Sequence, residues 1–202
     1  MTNLLHPKFL ACTAAIILLS LAGCATTGPA KFYTLSSTVH QQERETGGNL
    51  SVIIGPVEIP DYLDRPHLVT RTGLNEIMIS DFHKWAGSFK DDISRVLVED
   101  LSAQLSTDNV YTYQWGQSPP AQYHVKIKIH RFEGTLGKQV ELKAYWSIYG
   151  ERETELLIKS LSHFHEETGE GNYNAAVAAM SRAIEKLSRE IADAIRSLSG
   201  TG

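Results

Sequence analysis

The sequence is poor in cysteine, carries no excess of positive charge, and contains no hydrophobic run long enough to cross a bilayer. Its two cysteines are Cys12 and Cys24. Cys12 falls inside the N-terminal leader, so a processed chain can form no intramolecular disulfide and no thiolate metal site. Lysine and arginine total 19 against 23 aspartates and glutamates, for a formal net charge of −4. Such a balance lacks the clustered cations that nucleic acid demands, and it cannot hold an anionic membrane by charge alone. The uncharged apolar run Phe9–Ala22 (FLACTAAIILLSLA) falls short of the roughly 20 residues a spanning helix needs. The sequence also lacks a nucleophile elbow, a phosphate-binding loop, an HExxH pair and a Gly-rich dinucleotide turn. The commonest signatures of hydrolases, nucleotide-driven enzymes and dehydrogenases are therefore missing.

The N-terminus has a polar start bearing Lys8, a short apolar centre, and small residues before a break. That is the pattern of a secretory signal peptide, predicted over residues 1–23. The apolar positions are continuous rather than spaced at 3.6, which argues against a buried amphipathic helix. The run closes on Leu21-Ala22-Gly23-Cys24, which resembles the lipobox of bacterial lipoprotein precursors. The resemblance implies acylation of the Cys24 thiol, cleavage before it, and a mature chain that starts at a lipidated cysteine. Covalent lipid on Cys24 is the only non-protein group expected; no cofactor and no metal is predicted. Two or more acyl chains anchor stably, at about 0.8 kcal/mol per buried methylene. Ala25 follows the cysteine where Asp marks retention at the inner membrane, so the resemblance implies an outer-membrane anchor with the body in the periplasm. Residues 24–31 read as a lipidated tether. Its seven residues Ala25–Lys31 reach at most about 25 Å, which keeps the body close under the lipid surface.

Residues 32–200 read as one domain. FYTL (32–35) is strand-like, and the polar stretch 36–49 is a loop. LSVIIGPVEI (50–59) is a buried strand interrupted near Gly55-Pro56, where proline demands an edge or a bulge. A loop with two prolines and two aspartates covers 59–67, and residues 67–80 form a hairpin about Gly73-Leu74-Asn75. Phe89, Ile93, Val96, Leu97, Leu101 and Leu105 recur at helical spacing, with Ser88 or Asp81 as the cap. NVYTYQW (109–115) is a short strand. In YHVKIKIHRF (123–132), Val125, Ile127 and Ile129 face one way while Lys126, Lys128 and His130 face the other, as in a half-solvated antiparallel strand. Strands over 140–150 and 154–166 continue the meander. A final helix runs over about 174–198, with Met180, Ala183, Ile184, Leu187, Ile191, Ala194, Ile195 and Leu198 as its apolar stripe and Gly200 as its stop. The expected fold is α+β: a mainly antiparallel sheet with two amphipathic helices packed on one face, in two layers.

Chemistry-bearing clusters are few. His163 and His165 share one side of a strand, but no third ligand follows at a useful spacing, so they read as solvent-facing residues flanking Phe164. GTLGKQ (134–139) is a hairpin turn. Asp61 and Asp64 cap turns, and Asp91-Asp92 lie on a solvated helix face. The large residues in exposed-looking places are Tyr62 and Leu63, in the proline-rich loop beside Arg65, and Trp85 before the first helix. Either they fold back as a lid over the sheet edge, or they form a partner-binding surface, for which aromatics and arginine are the favoured anchors.

The stretch from VEIPDYLDRPHLVTR through EIMISDFHKWAGSFKDDISRVLVEDLSAQL resembles the ABC-type transport auxiliary lipoproteins of the PqiC (YmbA) family. The residues that carry it are Pro60, Tyr62, Leu63, Asp64, Arg65 and Pro66; Val69 and Arg71; Asp81, Trp85 and Ala86; and Ile93, Arg95, Val96 and Leu97. FYTL and the Ala-rich last helix fit as well. Gly87-Ser88 departs from the acidic residue and proline expected after Trp-Ala. The resemblance implies an outer-membrane lipoprotein, not an enzyme, that docks the far end of an MCE-domain periplasm-spanning protein whose inner-membrane permease partner drives lipid transport. It also implies a homo-oligomer matched to a ring-shaped partner, with no nucleic acid involved. Tyr62, Leu63, Asp64, Arg65, Pro66, Arg71 and Trp85 are its expected partner-binding residues. Two other readings stand beside it: an adaptor for another envelope machine, and a lipid-anchored hydrolase using Asp61/Asp64 or His163/His165.

Overall fold

The computed structural model describes residues 28–39, 50–114 and 119–200. The leader and residues 24–27 of the tether, Cys24 and Ala25 among them, lie outside the described residues, as do much of the polar loop and Trp115.

Ten elements follow in the order β1 (Lys31–Tyr33), β2 (Val52–Glu58), β3 (His67–Arg71), β4 (Ile77–Trp85), α1 (Phe89–Leu105), β5 (Val110–Thr112), β6 (Tyr123–Gly134), β7 (Gln139–Tyr149), β8 (Leu156–Glu167) and α2 (Tyr173–Ser199). The larger sheet has the order β5-β2-β6-β7-β8. Helix α1 packs against β2 and β5, α2 packs against β7 and β8, and the helices pack against each other. The two-layer α+β expectation holds. Between the layers, Ile54, Val125, Ile127, Phe132, Leu142 and Ile148 meet Ile93, Leu97, Leu101, Ile184, Leu187 and Ile191, all essentially without solvent contact.

The helices form where the apolar stripes lie. Ser88 caps α1, its Oγ accepting from Asp91 N at 3.3 Å. Asn172 caps α2 through Oδ1, which accepts from Ala175 N at 2.9 Å. Each cap satisfies an amide that has no partner within its helix. Helix α2 ends at Ser199, and Gly200 N donates to Arg196 O at 3.1 Å.

Two features differ from the expectation. Both sheets are mixed: β6–β7 and β7–β8 form the long antiparallel ladders, whereas β2 pairs parallel with both β5 and β6. Helix α1 is part of the long connection that parallel pairing of β2 with β5 requires. FYTL and the 67–85 hairpin also stay out of the main sheet. β2 is already flanked on both sides, so β1 lies parallel along β4, and β4 pairs antiparallel with β3 in a separate three-stranded sheet of order β1-β4-β3.

Pro56 sits where a sheet tolerates it. β5 pairs only with Val52–Ile54, so Pro56 lies beyond its neighbour on that side, within a register shift opposite β6. The Gly55–Pro56 peptide is cis, and Gly55 has φ +122°, a conformation that glycine alone adopts without strain.

Candidate functional site

The PDYLDRP loop is folded tightly before it touches anything else. Leu63 N donates to Pro60 O at 2.9 Å, Asp64 N to Asp61 O at 3.3 Å, and Arg65 N to Leu63 O at 2.8 Å. Asp61 and Asp64 are thus turn residues with exposed side chains. Trp85 N donates to Pro66 O at 2.7 Å, which fastens the end of the loop to the end of β4.

Leu63 is 3% exposed and Trp85 is 6% exposed. The Trp85 ring stacks on Phe89 with centroids 4.3 Å apart, and Phe89 stacks in turn on Phe132. The expectation that Leu63 and Trp85 anchor a partner is therefore corrected: apolar burial draws both into the core, where neither presents a surface. For these two the lid alternative describes the molecule. Asp64 and Pro66 are exposed, and Tyr62, Arg65 and Arg71 are half-buried.

Tyr62 and Arg71 converge on one carboxylate. Glu133, near the end of β6, has a side chain with no solvent exposure. Tyr62 Oη donates to its Oε2 at 2.8 Å. Arg71 donates from Nε at 2.9 Å and from Nη2 at 2.7 Å, both to Oε1. Arg131 Nε reaches Oε1 at 3.1 Å, and the Phe132 amide reaches Oε2 at 3.1 Å. The loop, the small sheet and the large sheet thus meet at a single buried anion, which two guanidinium groups, a phenol and an amide compensate. Burial, reinforced by the bond to Glu133, pushes the Tyr62 phenol up to about 12, so it remains a donor.

The network continues along the sheet. Arg131 Nη1 bonds Glu141 Oε2 at 2.7 Å, and His163 Nε2 lies 2.7 Å from Glu141 Oε1. Burial works to raise the Glu141 carboxyl, but the hydrogen bonds from His163 and Arg131 outweigh it and hold the group below its ordinary value. Glu133, Arg131 and Glu141 were not among the residues expected from sequence. Only one local signal pointed to them. The alternation of β6 breaks after Ile129, at a register shift against β7 between Ile129 and Arg131, and Phe132 and Glu133 are then both buried.

Elsewhere, Asp92 departs from its solvated reading. Its Oδ2 accepts from Leu35 N at 2.6 Å and its Oδ1 from Thr34 Oγ1 at 2.9 Å, tying the chain after β1 to α1.

A mixed five-stranded sheet backed by two helices, with a small sheet clamped to it through a buried carboxylate, defines an α+β class with solved counterparts. A crystal structure of an uncharacterized protein superposes with a TM-score of 0.68 at 20% identity, covering 83% of this chain and 99% of the other. That of protein XCC0632 from Xanthomonas campestris superposes with a TM-score of 0.66 at 13% identity, covering 85% and 99%. At those identities the likeness establishes the fold alone. No curated protein matches in sequence. The chain belongs to the family of ABC-type transport auxiliary lipoprotein components, whose family model matches residues 33–192. It is accordingly a lipoprotein with an auxiliary role in transport. No helix among the described residues is long and apolar enough to cross a membrane.

Proposed function

We propose that the protein is anchored to the outer membrane through lipidated Cys24 and serves, from the periplasmic face, as the docking component of an MCE-type intermembrane lipid transport system. The observation that carries this reading is the family match across residues 33–192. The loop geometry supports it. Three turn hydrogen bonds and the Tyr62–Glu133 bond hold the PDYLDRP segment in one shape, and Asp61, Asp64 and Pro66 face outward on it. A surface ordered before binding loses little entropy on docking, which favours a specific contact.

The docking residues in this reading are Asp64, Pro66, Arg65 and the outer edge of Tyr62, with Arg71 holding Tyr62 in place through Glu133. A photo-crosslinking residue at Asp64 in intact cells is expected to capture the periplasm-spanning MCE protein. Capture of a component of another envelope machine would make the protein an adaptor for that machine, and a crosslink-free loop would remove this surface from the reading.

A further inference from the structure

The two histidines of β8 lacked a third donor at any useful sequence spacing, and strand pairing supplies one. In the antiparallel ladder Glu141 of β7 stands opposite His165, and Lys143 stands opposite His163. All four residues therefore share the face of the sheet turned away from the helices. The imidazole rings of His163 and His165 lie 4.4 Å apart between centroids. One ligand atom from each of Glu141, His163 and His165 falls within 4.8 Å of the other two.

We propose that Glu141, His163 and His165 form a binding site for a divalent cation of the zinc class. Two imidazoles and one carboxylate are a donor set suited to zinc and its late first-row neighbours, and three protein ligands leave a coordination position for water. The supporting shell is already built. Arg131 Nη1 occupies Glu141 Oε2 at 2.7 Å and is itself held by Glu133, which leaves Oε1 turned toward the histidines. The Gln139 amide lies 3.2 Å from His165 Nδ1. The atom at that contact is the amide nitrogen Nε2, which packs against the edge of the His165 ring beside the site. β8 is an edge strand, and the His163 side chain is 43% exposed, so an ion enters directly from solvent.

Arg131 and Lys143 place positive charge near the site. Hard, strongly hydrated cations such as magnesium are repelled without compensation, whereas an ion bonded to neutral imidazole nitrogen tolerates them better. The site thus discriminates by ligand softness.

The test is zinc titration of the full-length protein, purified in detergent without a polyhistidine tag, by isothermal calorimetry, with Co2+ substitution followed by its visible ligand-field bands. One equivalent of saturable zinc is expected. It should be lost in the His163→Ala/His165→Ala double variant and weakened at least tenfold in Glu141→Gln. Thermal unfolding should show the variants folded. Saturable one-equivalent binding that survives in the double variant, or none in the folded wild-type protein, would overturn the assignment.

Discussion

Glu133 joins the two sheets by polar contacts, beside the Trp85–Phe89–Phe132 stack that joins them by apolar ones. A buried carboxylate stripped of one partner is left with an uncompensated charge, so each partner's removal costs more than an ordinary surface hydrogen bond. Tyr62→Phe deletes one donor without opening a cavity and is expected to cost about 1.5–3 kcal/mol, read as a lower urea midpoint at unchanged slope. Glu133→Gln removes the charge that Arg71 and Arg131 share and should cost more than Tyr62→Phe. Equal stability of that variant and wild type would show that the two arginines are satisfied elsewhere.

Asp100 is the opposite case. It lies without exposure on α1, accepts from Ser188 Oγ of α2 at 3.3 Å, and its Oδ1 has no hydrogen-bond partner among the described residues. Burial raises its pKa from 3.8 to about 6, against the opposing hydrogen bonds of Ser37 and Ser188. The folded state therefore holds this proton more tightly than the unfolded chain does. The resulting stability is fully present below the unfolded value and is lost as pH rises through the folded one. Asp100→Asn is expected to be more stable than wild type at pH 8 by roughly 1–3 kcal/mol, seen as a higher melting temperature, with the gap closing toward pH 4.5. A pH-independent difference in melting temperature would contradict this.

The elements have separate vulnerabilities. Ser88→Ala takes the cap from α1 and is expected to cost about 1 kcal/mol, measurable by chemical denaturation. Gly134 is more constrained, because a Cβ there would stand 2.5 Å from Gln139 O and 2.8 Å from Val140 Cα, both backbone of the facing strand. Gly134→Ala must push β6 and β7 apart beside Glu133, and a cost of about 1–3 kcal/mol is expected from such overpacking. The same elements show what sequence could carry. Both helices and the alternation of Val125, Ile127 and Ile129 were legible because helix and strand periodicities are local. Pairing is not local. Nothing near FYTL says that it will lie beside β4 rather than join the main sheet, and nothing near HFHEE says that Glu141 will stand opposite His165. The loop motif was legible as a motif, but the inward turn of Trp85 shows only in the fold, where its ring stacks on Phe89 and Phe89 stacks on Phe132 of a strand far along the chain. Glu133 escaped notice because a lone Glu at the end of a strand reads as solvated until two arginines from other segments converge on it.

At the scale of the whole molecule, anchoring and docking are separable. The whole chain carries a formal charge of −4, and without the leader's Lys8 it is more negative still, so the body has no electrostatic hold on an anionic bilayer. In the proposed reading attachment rests on lipid at Cys24, and high salt should then leave the protein in the membrane fraction. Replacing Cys24 alone is a poor test, because a leader that is no longer processed could itself retain the chain at the inner membrane. The cleaner variant exchanges residues 1–24 for a cleavable signal peptide without a cysteine. That protein is expected to fold, to appear in the soluble periplasmic fraction, and to bind its envelope partner in vitro with wild-type affinity, since the loop and Glu133 are untouched. If the proposed docking at the outer membrane is right, that protein is also expected to fail to restore envelope integrity in a strain lacking the native gene, because the tether would no longer raise the domain's effective concentration there. Full complementation by the soluble form would show that position at the membrane is dispensable, and would leave the loop surface as the whole of the function.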